Sequence, residues 1–187
     1  MGKWPNRDEA QMILCEWMTD DNLKKHSYAV EASMRAYAEK LGADPDIWGV
    51  AGLLHDFDYE KYPDLDSHPF KGAAYLREKG YSEDLVTAIL AHAEHTQEPR
   101  DTDLKKAIFA VDELTGLIVA VALTRPSKKI ADVTVSSIRK KWKDKAFARG
   151  ADRKMIETGA EELGIPLDDH IEVVLTAMQG IANTLGL

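Results

Sequence analysis

Apolar residues recur along this chain at three- and four-residue intervals, the spacing of one helix face. No window alternates apolar and polar positions over strand length. Asn6 followed by Glu9 marks a helix start leading into residues 10–18. Asp20 or Asp21 begins a second helix that runs to Leu41 and is closed by Gly42. Pro45 opens a third, reaching about Asp56. After a loop over residues 58–66, Ser67 is expected to cap a fourth helix, with Pro69 in its first turn and Gly80 at its end. Ser82 begins a fifth that reaches His95. Thr102 or Asp103 begins a sixth, which runs to Leu123 and stops before Pro126. Shorter helices are expected over 135–142 and 153–163, and a last one over 167–184. The fold class this pattern predicts is all-α.

Composition narrows the setting. With 187 residues, 44% apolar and 30% charged, the chain has the makeup of an ordinary globular protein with one core. No internal repeat or linker divides it, so residues 1–187 are expected to form one unit, with a core over about 21–123 and a helical extension over about 127–187. No apolar run approaches the ~20 residues of a membrane span. Residues 1–7 lack the apolar core of a signal peptide. Asn6 stands where a myristoylation signal wants Ser or Thr. The lone cysteine, Cys15, fits a reducing compartment, so a cytoplasmic location without membrane association is expected. The net charge of −8 argues against nucleic acid as a partner, because neutralising phosphates takes a basic surface. The charge is uneven: residues 128–154 hold ten Lys or Arg against three Asp.

Several polar residues sit where the pattern demands apolar ones. His26 lies on the stripe of Leu23, Val30, Met34, Tyr37 and Leu41, so it points inward, as a core histidine bonded to backbone or as a ligand. The third helix ends in two glycines, apolar side chains and then His55-Asp56. This pair could converge on one ion, or be a dipole-favoured histidine beside a loop residue. Asp112 falls within the nearly all-apolar run 107–123. There an ionised carboxylate costs several kcal/mol, as an order of magnitude, unless a cation or strong donors compensate. It lies in line with Leu104, Ile108, Thr115 and Gly116, and Gly116 would let a neighbouring helix or an ion come close. An ion pair to Arg or Lys is the alternative to a metal. His170, at an acidic helix start, reads as a surface residue.

The order His26, then His55-Asp56, then Asp112, all on helices, resembles the HD-domain superfamily of metal-dependent phosphohydrolases. The resemblance covers roughly residues 21–123. It implies an all-helical core in which these four residues bind one divalent ion. After the pair the chain reads Phe57-Asp58-Tyr59-Glu60-Lys61, which departs from the glycine-lysine version of the motif. Tyr59 stands where some mononuclear members carry a catalytic Glu. His68 and His92, twenty-four residues apart, resemble the extra ligands of dinuclear HD proteins, in which the Asp of the pair bridges two metals. Those proteins include phosphodiesterases and a smaller set of diiron oxygenases.

Imidazole and carboxylate ligands suit Mn, Fe, Co, Ni or Zn and, less well, Mg, as one or two ions. Such an ion makes hydroxide from bound water and polarises phosphoryl oxygens. A leaving alkoxide then needs a general acid, for which Asp58, Glu60, His92 and His95 are candidates. Cations must offset the phosphoryl charge. Lys61 is near in sequence, while Arg125, Lys128 and the segment containing Lys141 are more distant. Trp142 within that segment is a buried anchor or a stacking surface. The expected activity is hydrolysis of a phosphomonoester or phosphodiester in a small phosphorylated molecule or nucleotide. The alternatives are a diiron oxygenase and a non-catalytic module that binds a nucleotide or a partner. Oligomeric state and the role of the C-terminal third are open at this level.

Overall fold

Most of the longer helices begin where a side chain can accept the first free backbone N–H groups; the one that follows Pro166 does not. In the computed structural model, which describes residues 2–144 and 146–187, Asn6 and Glu9 form the reciprocal capping box that opens α1 (Arg7–Trp17). Asp20 caps α2 (Asp21–Leu41), which Gly42 ends in the left-handed conformation. Asp44 caps α3 (Pro45–Leu54). Ser82 caps α5 (Glu83–Ala91), and Thr102 caps α6 (Asp103–Leu123). The chain then continues through α7 (Val135–Trp142), α8 (Arg153–Glu162), α9 (Leu167–Gly180) and the short α10 (Ala182–Leu185). The fold is all-α: no strand forms among the described residues, and a lone parallel bridge joins Lys3 to Tyr81.

Three boundaries differ from the periodic reading. α4 spans Phe70–Glu78, two residues later than a Ser67 cap implies, and no side chain of its own start caps it. α5 stops at Ala91, and a 3-10 turn over Glu94–Thr96 carries the chain onward. The last expected helix is two, broken at Ile181. Periodicity locates an apolar face, but helix ends depend on which polar partner is near, so these were not visible in the pattern.

α2 and α6 form the centre. α3 packs most extensively on α2, α5 lies against α6, and α8 and α9 cover α6 from the C-terminal side. Ala107, Ile108, Val111, Leu114, Leu117 and Ile118 of α6 are buried in one continuous apolar cluster with Val30, Met34 and Tyr37 of α2. His170 is part of this interior, not the surface, and is fully buried. Its Nε2–H donates to the Ala110 carbonyl at 2.9 Å, and Nδ1 accepts from the Tyr37 hydroxyl at 2.5 Å. One imidazole thus ties α9 to both central helices.

α8 meets α6 at Gly159, where a Cβ would stand 2.5 Å from Ala110 Cα. Gly159→Ala must push the two helices apart. Its unfolding free energy is expected to fall by about 1–3 kcal/mol in urea denaturation. An unchanged midpoint would mean that the contact yields without cost.

Candidate metal centre

Six side chains from five separate segments meet between α2 and α6. α2 supplies His26 and α6 supplies Asp112, with His26 Nε2 3.0 Å from Asp112 Oδ1. α3 ends just before His55, whose Nε2 lies 3.1 Å from His26 Nε2 and 3.4 Å from Asp112 Oδ1. The chain then turns tightly and sets the Asp56 carboxylate across the centre. Asp56 Oδ2 faces His26 and His55 at 3.7 and 3.5 Å. Asp56 Oδ1 faces His68 and His92, each at 3.2 Å. The Nε2 atoms of His68 and His92 are 3.3 Å apart. The ligand atoms fall into two groups, His26–His55–Asp112 and Asp56–His68–His92, each within 4.8 Å of one another.

The second nitrogen of every histidine shows what these rings offer. His55 and His92 cap the ends of α3 and α5, and each Nδ1–H donates back to a carbonyl of the last helical turn, Gly52 at 2.8 Å and Ile89 at 2.5 Å. His26 Nδ1–H is 3.2 Å from Thr115 Oγ1, whose own proton goes to the Asp112 carbonyl. His68 Nδ1–H donates to Asp58 Oδ1 at 2.8 Å. With Nδ1 protonated on all four, each Nε2 aims a lone pair at its neighbours and at two carboxylates. Acceptors at about 3 Å repel unless positive charge lies between them, so this donor set fits divalent cations. The two carboxylates call for positive charge at these points, which protons on the rings can supply where no ion does. Burial opposes ionisation of Asp56, yet His55, His68 and His92 hold it well below the usual carboxylate range. Asp112 is likewise low despite burial, through His26 and His55. Burial pulls His68 down, but Asp56 and Asp58 raise it to about 9.

A cavity of about 690 Å³ opens over this cluster, lined by Tyr59, Leu65, Glu94, His95, Glu113 and Gly116, with Ala148, Gly150, Ala151 and Met155 adding a wall from the C-terminal part of the chain. Gly116 meets no neighbouring helix; a Cβ there would enter open space. His95 lines the cavity and its Nε2–H donates to the His68 carbonyl at 2.9 Å.

Other residues singled out in the sequence lie elsewhere. Asp58, a general-acid candidate, is buried with both oxygens engaged, by His68 and by the Gly72 N–H. Glu60 accepts from the backbone N–H groups of Thr19 and Asp20 ahead of α2, away from the cavity. Lys61 Nζ lies over the Trp17 ring at 4.5 Å and reaches the Glu16 carbonyl. Arg125 and Lys141 line a separate hollow with Thr134 and Lys140. Lys128 is exposed outside both. Trp142 donates to Glu157 from a half-buried position. None of these four cations lines the cavity: the turn after α3 sends Lys61 onto Trp17, and the others stand on elements that face elsewhere.

Glu113 was missed. It is the second charged residue of the apolar run 107–123, a signal as strong as that of Asp112. Burial, then the adjacent Asp112, pushes its carboxyl up to about 7.

Comparison with known proteins gives relatives named Ribonuclease Y. The chain is 28% identical over 167 residues to that of Geobacter metallireducens, covering 89% of this chain and 25% of the relative. It is 33% identical over 96 residues to that of Oleidesulfovibrio alaskensis, covering 51% and 18%. It is 32% identical over 96 residues to that of Nitratidesulfovibrio vulgaris, with the same coverage. The chain therefore spans a quarter or less of the length of these relatives. Their name leaves the charge-based argument against nucleic acid without support. No helix among the described residues is long and apolar enough to cross a membrane. The sequence model described as HD domain matches residues 23–117, the stretch that carries all six converging side chains. With half the chain matched, this protein belongs to the HD domain family of metal-dependent phosphohydrolases.

Proposed function

We propose that this chain hydrolyses phosphodiester bonds with two divalent ions, one held by His26, His55 and Asp112, the other by His68 and His92, and both by Asp56. The observation that carries this reading is the Asp56 carboxylate, whose two oxygens face opposite histidine pairs. Ions bound there would activate water and neutralise the phosphoryl oxygens. The protein groups supply the remainder. The Nδ1–H bonds orient the four rings, and Leu65 and Met155 give the cavity apolar wall. Glu113 and His95, which line the cavity outside the ligand set, can carry a proton to a leaving alkoxide.

The charge of the cavity supports a diester over a polyphosphate. Among its described lining residues, Glu94 and Glu113 are the carboxylates beyond the ligand set, and Lys61, Arg125, Lys128 and Lys141 are not in the lining. A diester carries one negative charge for the ions to balance, whereas a triphosphate would meet two further carboxylates. The linkages of RNA are diesters, in keeping with the name of the relatives, as are those of small cyclic or dinucleotide substrates.

The test is elemental analysis of protein purified without a chelator, followed by hydrolysis of bis(p-nitrophenyl) phosphate and p-nitrophenyl phosphate. About two ions per chain, and a kcat/KM at least ~10-fold higher for the diester, are expected. A chain that takes up no metal after incubation with Mn, Fe, Co, Ni or Zn would sink the reading. Dioxygen consumption by the iron-loaded chain, with no diester cleavage, would put the oxygenase reading in its place, because that resemblance implies the same six residues.

A further inference from the structure

We propose that Asp58 is the positioning residue that makes His68 a metal ligand, by holding its proton on Nδ1. The inference rests on the two-ion reading above. It concerns how one of the two positions is built.

Asp58 lies in the tight turns after α3 and is 1% exposed. A buried carboxylate needs donors, and this one has two. Oδ1 accepts from His68 Nδ1 at 2.8 Å, and Oδ2 accepts from the Gly72 N–H at 2.6 Å. Gly72 sits in the first turn of α4, where backbone N–H groups have no helical acceptor and where no local side chain caps the helix. Asp58 therefore serves as a remote cap. The approach requires glycine, since a Cβ at position 72 would stand 2.7 Å from Phe57 Cε1 and 3.0 Å from Asp58 Cγ. The helix end fixes the carboxylate, and the carboxylate fixes the ring.

The tautomer follows from the acceptor. A carboxylate with both oxygens accepting leaves Nδ1 as the protonated nitrogen of His68. Nε2 is then a lone pair directed at Asp56 Oδ1 and His92 Nε2. His55 and His92 obtain the same result from backbone carbonyls, which no substitution removes. His68 depends on a side chain and can be tested. An outer carboxylate also raises the basicity of the ring it holds.

Asp58→Asn is close to isosteric, and its amide oxygen can still accept from the Gly72 N–H. Its NH2 then faces His68, so Nδ1 must become the acceptor and the proton moves to Nε2, closing that ligand position. Cobalt(II) titration followed by absorption is expected to give two sites in the parent. In Asp58→Asn one site should keep its affinity and the other weaken by roughly 10- to 100-fold. Adding Asp58→Asn to His68→Ala should then change nothing further, because the substitution acts through that ring. Two sites of parental affinity in Asp58→Asn would overturn the proposal while leaving the two-ion reading intact. A parent that takes only one ion would sink both. Should Asp58→Asn fail to fold, nitrogen NMR of the zinc-loaded parent decides: His68 with its proton on Nδ1 is expected, and a proton on Nε2 overturns the assignment.

Discussion

Asp56→Ala is expected to empty both metal positions and to lower diester hydrolysis by at least ~10³-fold. No other single substitution should do both. His68→Ala or His92→Ala removes one ligand from the Asp56 Oδ1 side, and Asp112→Ala removes one from the other side. Asp56 faces all four histidines, at 3.2 to 3.7 Å, so its loss takes a ligand and a negative charge from each group together. What remains is four imidazoles around one carboxylate, a set in which the second group keeps no carboxylate ligand. Elemental analysis should find less than ~0.2 ion per chain in this variant under conditions that load the parent. Asp56→Glu, which keeps the charge and displaces both oxygens, should recover metal before it recovers activity, since the reaction needs the geometry as well as the ions. Full metal content in Asp56→Ala would show that the two groups bind independently, and the bridging role would be lost.

The second large effect is on stability, at the far side of α6. Burial holds His170 at about 4, against an ordinary value of 6.5, with its bond to the Ala110 carbonyl opposing in part. The ring is therefore neutral in the folded protein across the neutral range. The unfolded chain takes up a proton at His170 as pH falls through about 6.5, whereas the folded protein does so only near 4. Between those values the unfolded state binds more protons, so stability is lost as pH falls, by about 3 kcal/mol over the whole window. His170→Gln cannot titrate. The unfolding free energy of the parent minus that of the variant should therefore decline by about 3 kcal/mol from pH 8 to pH 4. The metal-binding cluster titrates in the same range, but it is common to both proteins and cancels. A difference independent of pH would place a protonated or solvated His170 in the folded state. Burying Tyr37 beside it raises that phenol above its usual value, so the Tyr37 hydroxyl is the donor for as long as His170 is neutral.

Cavity and cluster together explain why the candidates divided as they did. Asp58 and Glu60 stand two residues apart, and sequence alone offered both as acids. One carboxylate is buried against a metal-side histidine, and the other caps backbone N–H groups ahead of α2. Lys61 follows directly and turns onto Trp17. A run of tight turns reverses direction at nearly every residue, so adjacent side chains diverge, whereas α-helical spacing preserves a common face. For the same reason Arg125 and Lys141, on separate elements beyond Asp112, share a hollow with each other and not with the metal centre.

Local chemistry was sufficient for the helix starts at Asn6, Asp20, Pro45, Ser82 and Thr102, because a cap and the first turn it satisfies are neighbours in sequence. It was also sufficient to show that His26, His55, Asp56 and Asp112 sit where apolar packing makes a polar group expensive. Neither result needs a distant contact. The late start of α4, the burial of His170 and the place of Glu113 in the cavity wall all do. α4 is capped by Asp58, fourteen residues before Gly72. His170 finds its donor on Tyr37, 133 residues away. Local pattern was enough to say which segments become helices and which polar groups those helices must bury. Folding decided which buried group satisfies which, because desolvation cost is carried by each residue where it stands, while the partner that offsets it is chosen by packing across the whole chain.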